Sequence, residues 1–235
     1  MTDSFDTIFD ELQSVADAGK RMKLSRFFKT GIGEYGEGDV FLGITVPDVR
    51  KIAKRHGYTQ SDEIRKLLLS EYHEVRLCGL LIMVLKCSRK SEQLKRDMFE
   101  LYLSHTTYIN NWDLVDLSAP AIVGEYLVDK SREPLYKLSE SPILWENRIA
   151  MVATMAFIRR GDLDDTYRLA LKLMGHKHDL IRKAAGWMLR EAGMKDHKRL
   201  FDFVEEHHLE MPRTMLRYAI EKFPSEEREF LMRRY

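Results

Sequence analysis

The residues of this chain that could do chemistry begin with a seven-residue stretch, NNWDLVD, at positions 110–116. Asp113 and Asp116 are three residues apart, so a helix would place both carboxylates on one side of it. Acids at the start of a helix often cap it or complement its dipole, and we assign that role to Asp113. Asp116 lies one turn further on, beside the indole of Trp112. This carboxylate and this indole are candidate functional groups of an active site.

Arginines recur at regular intervals around this stretch, each at the opening of an apolar run. Arg148 follows Arg76 by 72 residues, Arg182 follows Arg148 by 34, and Arg213 follows Arg182 by 31. The first interval is twice 36, and its midpoint falls on Trp112. The NNWDLVD stretch therefore occupies the position at which the other repeats carry their arginine.

Apolar residues recur at helical spacing through most of the chain, and strand signals are almost absent. A helical repeat with a period in the thirties is typical of stacked helix pairs. We therefore predict an all-α chain, an α-solenoid of HEAT-like helical repeats that forms a single domain over residues 1–235. A glycine-rich loop at residues 30–45 interrupts the helices. Because a solenoid curves, we expect Asp116 and the repeat arginines to line its concave face.

This candidate groove has the side chains that bind a phosphate backbone. Further basic segments at residues 20–29, 50–55 and 159–160 add to the repeat arginines. Lys and Arg number 38 against 37 Asp and Glu, so the net charge is only +1, but such a total is compatible with a basic inner stripe and an acidic outside. We predict a concave DNA-binding groove. The candidate backbone contacts are Arg76, Arg182, Lys183 and Arg213.

These residues also have purely structural interpretations. The repeat arginines could brace helix ends through salt bridges, and Trp187 could be an ordinary core aromatic. Gly186 lies directly before Trp187. Glycine inside a helix lowers helix stability by roughly 1 kcal/mol, so its presence indicates that another segment packs closely against the helix there.

Composition narrows the class of protein. No run of about 18 apolar residues is present, so no membrane span is expected. The two cysteines, Cys78 and Cys87, lie in or near an apolar helical run and are predicted to be buried or half-buried thiols of a cytoplasmic protein. The histidine pairs in GHKH at 175–178 and EEHH at 205–208 lack acids at zinc-ligand spacing. Neither a metal nor a cofactor is expected.

Four segments, FLGITVPDVRK, NNWDLVD, LWENRIAMVAT and IRKAAGWMLRE, together closely resemble the DNA alkylation repair enzymes of the AlkD-like class. Members of this class are HEAT-like-repeat DNA glycosylases. The resemblance extends from about Lys20 to about Phe223, with the four segments in the family's order and spacing. The glycine-rich insert before FLGIT departs from the family pattern.

The resemblance implies that the chain excises N3- and N7-alkylated purines, such as 3-methyladenine and 7-methylguanine, from duplex DNA in base excision repair. It also implies that the base need not be flipped into a pocket, unlike in most base-processing enzymes, and the sequence shows a groove rather than a compact pocket signature. The implied catalytic carboxylate is Asp116, and the active-site arginine is Arg148. Trp112 and Trp187 would cradle the damaged nucleotide. A groove that accepts duplex DNA favours a monomer.

A non-catalytic HEAT-repeat scaffold that binds DNA or protein partners is the alternative from another class. It explains the repeats and the charges equally well. It does not explain a carboxylate in a basic groove between two tryptophans. Replacing Asp116 by Asn distinguishes the two, because a scaffold loses nothing by the change.

Overall fold

The computed structural model of the chain describes residues 4–233, and helices account for most of them. The α-helices are α1 Phe5–Ser14, α2 Ala18–Phe27, α3 Val46–Arg55, α4 Ser61–Leu68, α5 His73–Cys87, α6 Glu92–Leu103, α7 Trp112–Asp116, α8 Glu125–Leu127, α9 Glu133–Ser139, α10 Leu144–Ala153, α11 Met155–Ile158, α12 Asp164–Lys172, α13 Asp179–Gly193, α14 His197–His207, α15 Arg213–Ala219 and α16 Ser225–Met232. A 3₁₀ turn spans Thr106–Tyr108 and a π-helical turn spans Pro120–Gly124.

The chain divides into two compact units between Ile122 and Val123. In the first unit α5 packs against α3, α4 and α6, and in the second unit α13 packs against α10, α12, α14 and α15. Between residues 4 and 233, the one β feature is a parallel bridge that joins Val40 to Tyr72. The predicted all-α fold class is confirmed, and helix-on-helix packing fits a helical repeat fold. The single domain and the concave groove stay predictions.

The repeat period reappears as contacts in the second unit. The Arg132 guanidinium donates to Asp165, 33 residues along the chain, at 3.0 Å, and Lys172 donates to Glu140, 32 residues away, at 2.7 Å. Arg199 donates to Asp164, 35 residues away, at 2.7 Å. A side chain of one helix pair thus meets the corresponding place on the next, as stacking of units of this length requires.

The glycine-rich segment 30–45 is a loop of turns, as predicted, and its last part is fastened to α5. The Glu74 carboxylate is 2% exposed and accepts three backbone N–H bonds, from Leu42 at 2.8 Å, Gly43 at 2.8 Å and Ile44 at 3.0 Å. Gly43 has a φ of +91°, and a Cβ there would lie 2.0 Å from the Asp17 carbonyl oxygen. Glycine is required at this position because both the dihedral angle and the space exclude a side chain.

Helix α3 begins at Val46, directly after the glycine-rich loop. Thr45 is the N-cap, and Pro47 lies in the first turn, where a missing N–H costs nothing. Thr45 makes no capping bond to the backbone. Its hydroxyl instead donates to the Asp48 carboxylate at 2.6 Å, so the helix start is organised by a side-chain pair.

Both cysteines, Cys78 and Cys87, are buried and free, as predicted. Burial raises the pKa of each thiol to about 12, because a thiolate would lose its solvation there. They are packing residues at neutral pH. Across residues 4–233, no helix is both long enough and apolar enough to cross a membrane.

Helix α13 carries the close approach that Gly186 indicates. A Cβ at Gly186 would lie 2.5 Å from the Met215 carbonyl oxygen and 2.5 Å from the Tyr218 Cβ, so the helix that packs closely against it is α15. We expect Gly186→Ala to lower the free energy of unfolding by about 1–3 kcal/mol through overpacking, measured by urea unfolding. Gly175→Ala is the matched control because nothing lies within 4 Å of its added methyl. Equal stability of the two variants would contradict the tight α13–α15 packing.

Candidate active site in the first unit

The last five residues of NNWDLVD form the short helix α7, Trp112–Asp116. Its N-cap is Asn111, whose side-chain oxygen accepts from the Trp112 N–H at 2.9 Å. The N-cap is therefore an amide, and Asp113 lies in the first turn, where a carboxylate complements the helix dipole. A helix this short has almost no stability of its own. Its position must be set by contacts with the rest of the first unit.

Trp112 is half-buried within a cluster of aromatic rings. Its indole stacks on Phe28 at a centroid distance of 5.1 Å and an interplanar angle of 28°. It also meets the edge of Phe27 at 5.9 Å. Phe28 stacks in turn on Phe41 at 5.1 Å. The indole of Trp112 is thus held by ring contacts from α2 and from the loop that follows it.

A cavity of about 450 Å³ opens beside these rings, and Asp116 and Trp112 both line it. Its other walls come from Leu24, Phe27, Phe28, Phe41, Ile44, Thr45, Val46, Pro47, His73, Glu74, Leu77, Asp113 and Leu117. The structure therefore brings Asp116 and Trp112 together, half-buried at one cavity of ligand-binding size. The concave groove stays a prediction, and this cavity has no signature in the sequence. The reason is that the cavity walls come from segments far apart in sequence.

Asp113 is 5% exposed, and its Oδ1 accepts from the Leu114 N–H in the first turn of α7 at 2.9 Å. Its carboxylate pairs with the buried His73, whose Nε2 lies 2.9 Å from Asp113 Oδ2. The other ring nitrogen, Nδ1, lies 2.7 Å from Asp39 Oδ2. Two carboxylates on one ring require donors on both nitrogens, so His73 is an imidazolium. The residues that complete this buried network are Arg76 and Asn111, which both donate to Asp39.

The pKa of His73 is set by two opposed effects. Burial of the ring lowers it, but the charges and hydrogen bonds of Asp113 and Asp39 raise it further, and the net pKa is about 9. For Asp39, burial raises the pKa, while His73, Arg76 and Asn111 lower it, and the net shift is downward. Both groups are therefore charged at neutral pH.

Arg76 lies inside this network rather than on a surface. It is 4% exposed, and its Nη1 donates to the carbonyls of Ser70 and Glu71, each at 2.9 Å. The predicted contact between Arg76 and a DNA backbone does not fit this placement, because so buried a guanidinium cannot reach a phosphate. The buried Asp39 carboxylate provides the opposite charge.

The other repeat arginines also bind carbonyl oxygens, which favours the interpretation that they brace helix ends. Arg182 Nε donates to the His176 carbonyl at 2.9 Å, and Arg213 Nη1 donates to the Met232 carbonyl at 3.0 Å. Arg148 is 5% exposed and donates to the Leu180 carbonyl at the start of α13, at 2.6 Å. Each of these guanidinium groups donates to a carbonyl of a loop or a helix end. The DNA contacts of Arg182 and Arg213 stay predictions.

Trp187 and the remaining candidates lie in the second unit. Trp187 is half-buried on α13, and its Nε1 donates to Glu191 Oε1 at 3.1 Å. Lys183, on the same helix, pairs with Asp179 at 2.8 Å and keeps 40% of its side chain exposed. Arg182 and Arg213 are half-buried. Of the predicted backbone contacts, Arg182, Lys183 and Arg213 keep partly accessible side chains.

The histidines of GHKH cap a helix. His178 Nδ1 accepts from the Leu180 N–H at 3.2 Å, and His176 Nδ1 accepts from the His178 N–H at 3.0 Å. Burial lowers the pKa of both rings, which suits neutral acceptors. Within the described range 4–233, no group of three or more His, Cys, Asp or Glu side chains is placed to hold a metal ion.

Helix α2 carries a basic surface within the segment 20–29, none of whose residues was named as a single backbone contact. Four of its residues or close neighbours are exposed cations, and no carboxylate of residues 4–233 pairs with them: Arg21, Lys23, Arg26 and Lys29. Leu24 and Phe27 of the same helix line the cavity. The signal in the sequence is the unbalanced run KRMKLSRFFK, which has no acid within it to neutralise the charge.

Comparisons with known proteins agree with these features. The sequence profile described as DNA alkylation repair enzyme matches residues 8–223. A solved structure, described as a predicted DNA alkylation repair enzyme from Enterococcus faecalis, superposes with a TM-score of 0.68 over 89% of this chain and 97% of that one. At 15% identity, that likeness shows the shared fold. A search of curated proteins returns no match. The profile match covers nearly the whole sequence, and the chain belongs to the DNA alkylation repair enzyme family.

Proposed function

We propose that this chain is a DNA glycosylase that excises N3- and N7-alkylated purines, including 3-methyladenine and 7-methylguanine, from duplex DNA. The observation that supports it best is Asp116, a carboxylate beside the half-buried indole of Trp112 at the edge of an aromatic cavity. Such a carboxylate repels the anionic backbone that a simple DNA scaffold must attract. It is suited to a reaction that develops positive charge.

The reaction needs one carboxylate. An N3- or N7-alkylated purine carries a positive charge, so it leaves without a proton from a general acid, and the two-carboxylate chemistry of glycosidases reduces to a single group. The C1′–N bond breaks, its electron pair neutralises the departing base, and positive charge develops on the deoxyribose. Water then adds to C1′ and gives up a proton, which leaves an abasic site. Asp116 faces the developing cation and positions the water.

The surroundings of Asp116 strengthen this effect. Ring faces on one side exclude water, and a charge interaction in such a site is worth more than in bulk solvent. The indole of Trp112 offers its face to the sugar C–H groups and to the developing cation. The base stays in the duplex, as the resemblance implies. Arg148 and Trp187 enter through the resemblance, as residues whose replacement lowers excision.

Duplex DNA would bind without metal or cofactor, to a monomer in the cytoplasm. The proposed backbone contacts are the exposed cations of α2 in the first unit and the accessible side chains of the second: Arg182, Lys183 and Arg213. The direct test incubates the protein with methylated duplex DNA and identifies the freed bases by chromatography. Release of 3-methyladenine or 7-methylguanine supports a glycosylase. DNA binding with no freed base supports the non-catalytic scaffold.

The α2 surface gives a prediction about salt. Each phosphate contact contributes about 0.9 to the slope of log K against log salt concentration. We expect Lys23→Gln with Arg26→Gln to reduce that slope by about two, measured by fluorescence anisotropy on duplex DNA. The control replaces Lys66 and Lys137, which pair with Glu63 and with Glu133, each at 2.7 Å. An equal slope in both double variants would rule out α2 as a backbone contact.

A further inference from the structure

The buried imidazolium of His73 contacts both α7 and the aromatic rings that pack beside the candidate site. Its Nε2 binds Asp113, the second residue of α7. Its ring stacks on Phe41 at a centroid distance of 4.4 Å and tilts against Phe28 at 5.1 Å. Phe28 in turn carries the indole of Trp112. One side chain thus contacts both a carboxylate of α7 and the aromatic rings that pack against its tryptophan.

Asp39 completes this support from the glycine-rich loop. Its side chain is fully buried and binds three donors: His73, Arg76 and the Nδ2 of Asn111 at 3.1 Å. Asn111 is the N-cap of α7. The start of α7 is therefore fixed at two adjacent places, through Asn111 and through Asp113. Both routes lead back to the His73–Asp39 pair.

We propose that His73 and Asp39 are positioning residues that set Trp112 and Asp116 in their working geometry, through an imidazolium bridge to Asp113 and a carboxylate bridge to Asn111. This inference rests on the proposed glycosylase function for its catalytic meaning. Its structural meaning, that α7 depends on the bridge, stands without that function. Neither residue touches the reacting atoms, so neither is a catalytic residue.

The bridge requires a proton on His73. The charged groups around the ring are Asp39 from the loop, Asp113 from α7 and Arg76 from α5, with Glu74 next to it on α5 and Asp116 on the same cavity. The neutral ring has one N–H, so deprotonation would leave one carboxylate against a ring lone pair. The folded-state pKa of about 9 exceeds the ordinary 6.5. The contribution of the bridge to stability is therefore fully present below pH 6.5 and is lost as the pH rises through about 9.

The test measures single-turnover base release against pH for the full chain and for Asp39→Asn. Removing one nearby carboxylate lowers the pKa of a histidine by about one to three units. We expect the alkaline fall in rate to move down by that amount in Asp39→Asn, and His73→Gln to lose about 10-fold to 100-fold in rate at neutral pH because α7 is misplaced. The His73 ring titration, followed by NMR, must move with the rate. A ring titration that moves while the rate profile does not would overturn the inference.

Glu11→Gln is the matched control. Glu11 pairs with His56 at 2.7 Å and with Arg55, both at the end of α3 in the same unit, so its loss should leave the alkaline fall in place. A readout without activity separates this inference from the proposed function. With Trp145 and Trp187 replaced by Phe, the fluorescence of Trp112 should change with pH at the His73 pKa, and earlier in Asp39→Asn. Fluorescence that is constant through both titrations would overturn the positioning role even in an active enzyme.

Discussion

Asp116→Asn is expected to reduce the rate of 7-methylguanine release by about 30-fold to about 1,000-fold while duplex binding survives or tightens. Two unit charges about 4 Å apart attract by roughly 4 kcal/mol at an effective dielectric near 20. Only the part gained between ground state and transition state accelerates the step. Half of that energy corresponds to about 30-fold and all of it to about 1,000-fold. Single-turnover release with saturating enzyme measures this rate apart from binding.

The control for this variant removes a carboxylate elsewhere in the first unit. Asp62 on α4 has 86% of its side chain exposed, and Asp62→Asn should keep the full rate. Anisotropy on the same duplex shows whether binding survives in Asp116→Asn. Wild-type release by Asp116→Asn would refute the catalytic assignment. Release by neither the variant nor the wild type, with DNA still bound, would favour the scaffold.

Glu74→Gln is expected to destabilise the first unit by about 3 kcal/mol. The carboxylate binds three buried N–H groups of residues 42–44. In either orientation of the amide, its NH₂ group would face a backbone N–H, so at least one charge-assisted bond is lost and a buried donor is left without an acceptor. In a chain of this length the loss corresponds to a fall of roughly 6–12 °C in Tm. Thermal unfolding followed by circular dichroism measures it.

The neighbouring Glu71 is the control for this variant. Its side chain is exposed, so Glu71→Gln should leave the Tm where it is. Because residues 44–47 wall the cavity beside Asp116, Glu74→Gln should also lower base release at temperatures below its Tm. A normal Tm in Glu74→Gln would show that the loop is held by other contacts.

Local patterns in the sequence predict the helices and the repeat period correctly. Spacing along a helix decides which residues share a face, and this needs no knowledge of distant segments. The adjacency of Trp112 and Asp116 follows in the same way, since both lie on one short helix. The burial of Cys78 and Cys87 follows from their apolar surroundings in the chain. The four family segments could be recognised without coordinates for the same reason.

The cavity, the capping of α7 and the burial of Arg76 could not be predicted from local sequence patterns. His73 lies 34 residues from Asp39 and 40 residues from Asp113, and no periodicity joins these positions. An arginine at a repeat position is a candidate phosphate contact on sequence grounds. Only the fold shows that Arg76 is paired with the buried carboxylate of Asp39. The position of Asp113 at a helix start likewise does not reveal that its second oxygen pairs with a histidine of another helix.

The sequence by itself determined that this chain is helical, that its helices repeat, which family it belongs to, and that one tryptophan and one aspartate share a turn. Those properties depend on residue types at short separations, which the chain carries whatever its tertiary packing. The tertiary structure alone decided which charges are buried together and what holds α7. The reason is that a charge leaves water only where a distant segment brings it a partner, and that partner is chosen by packing.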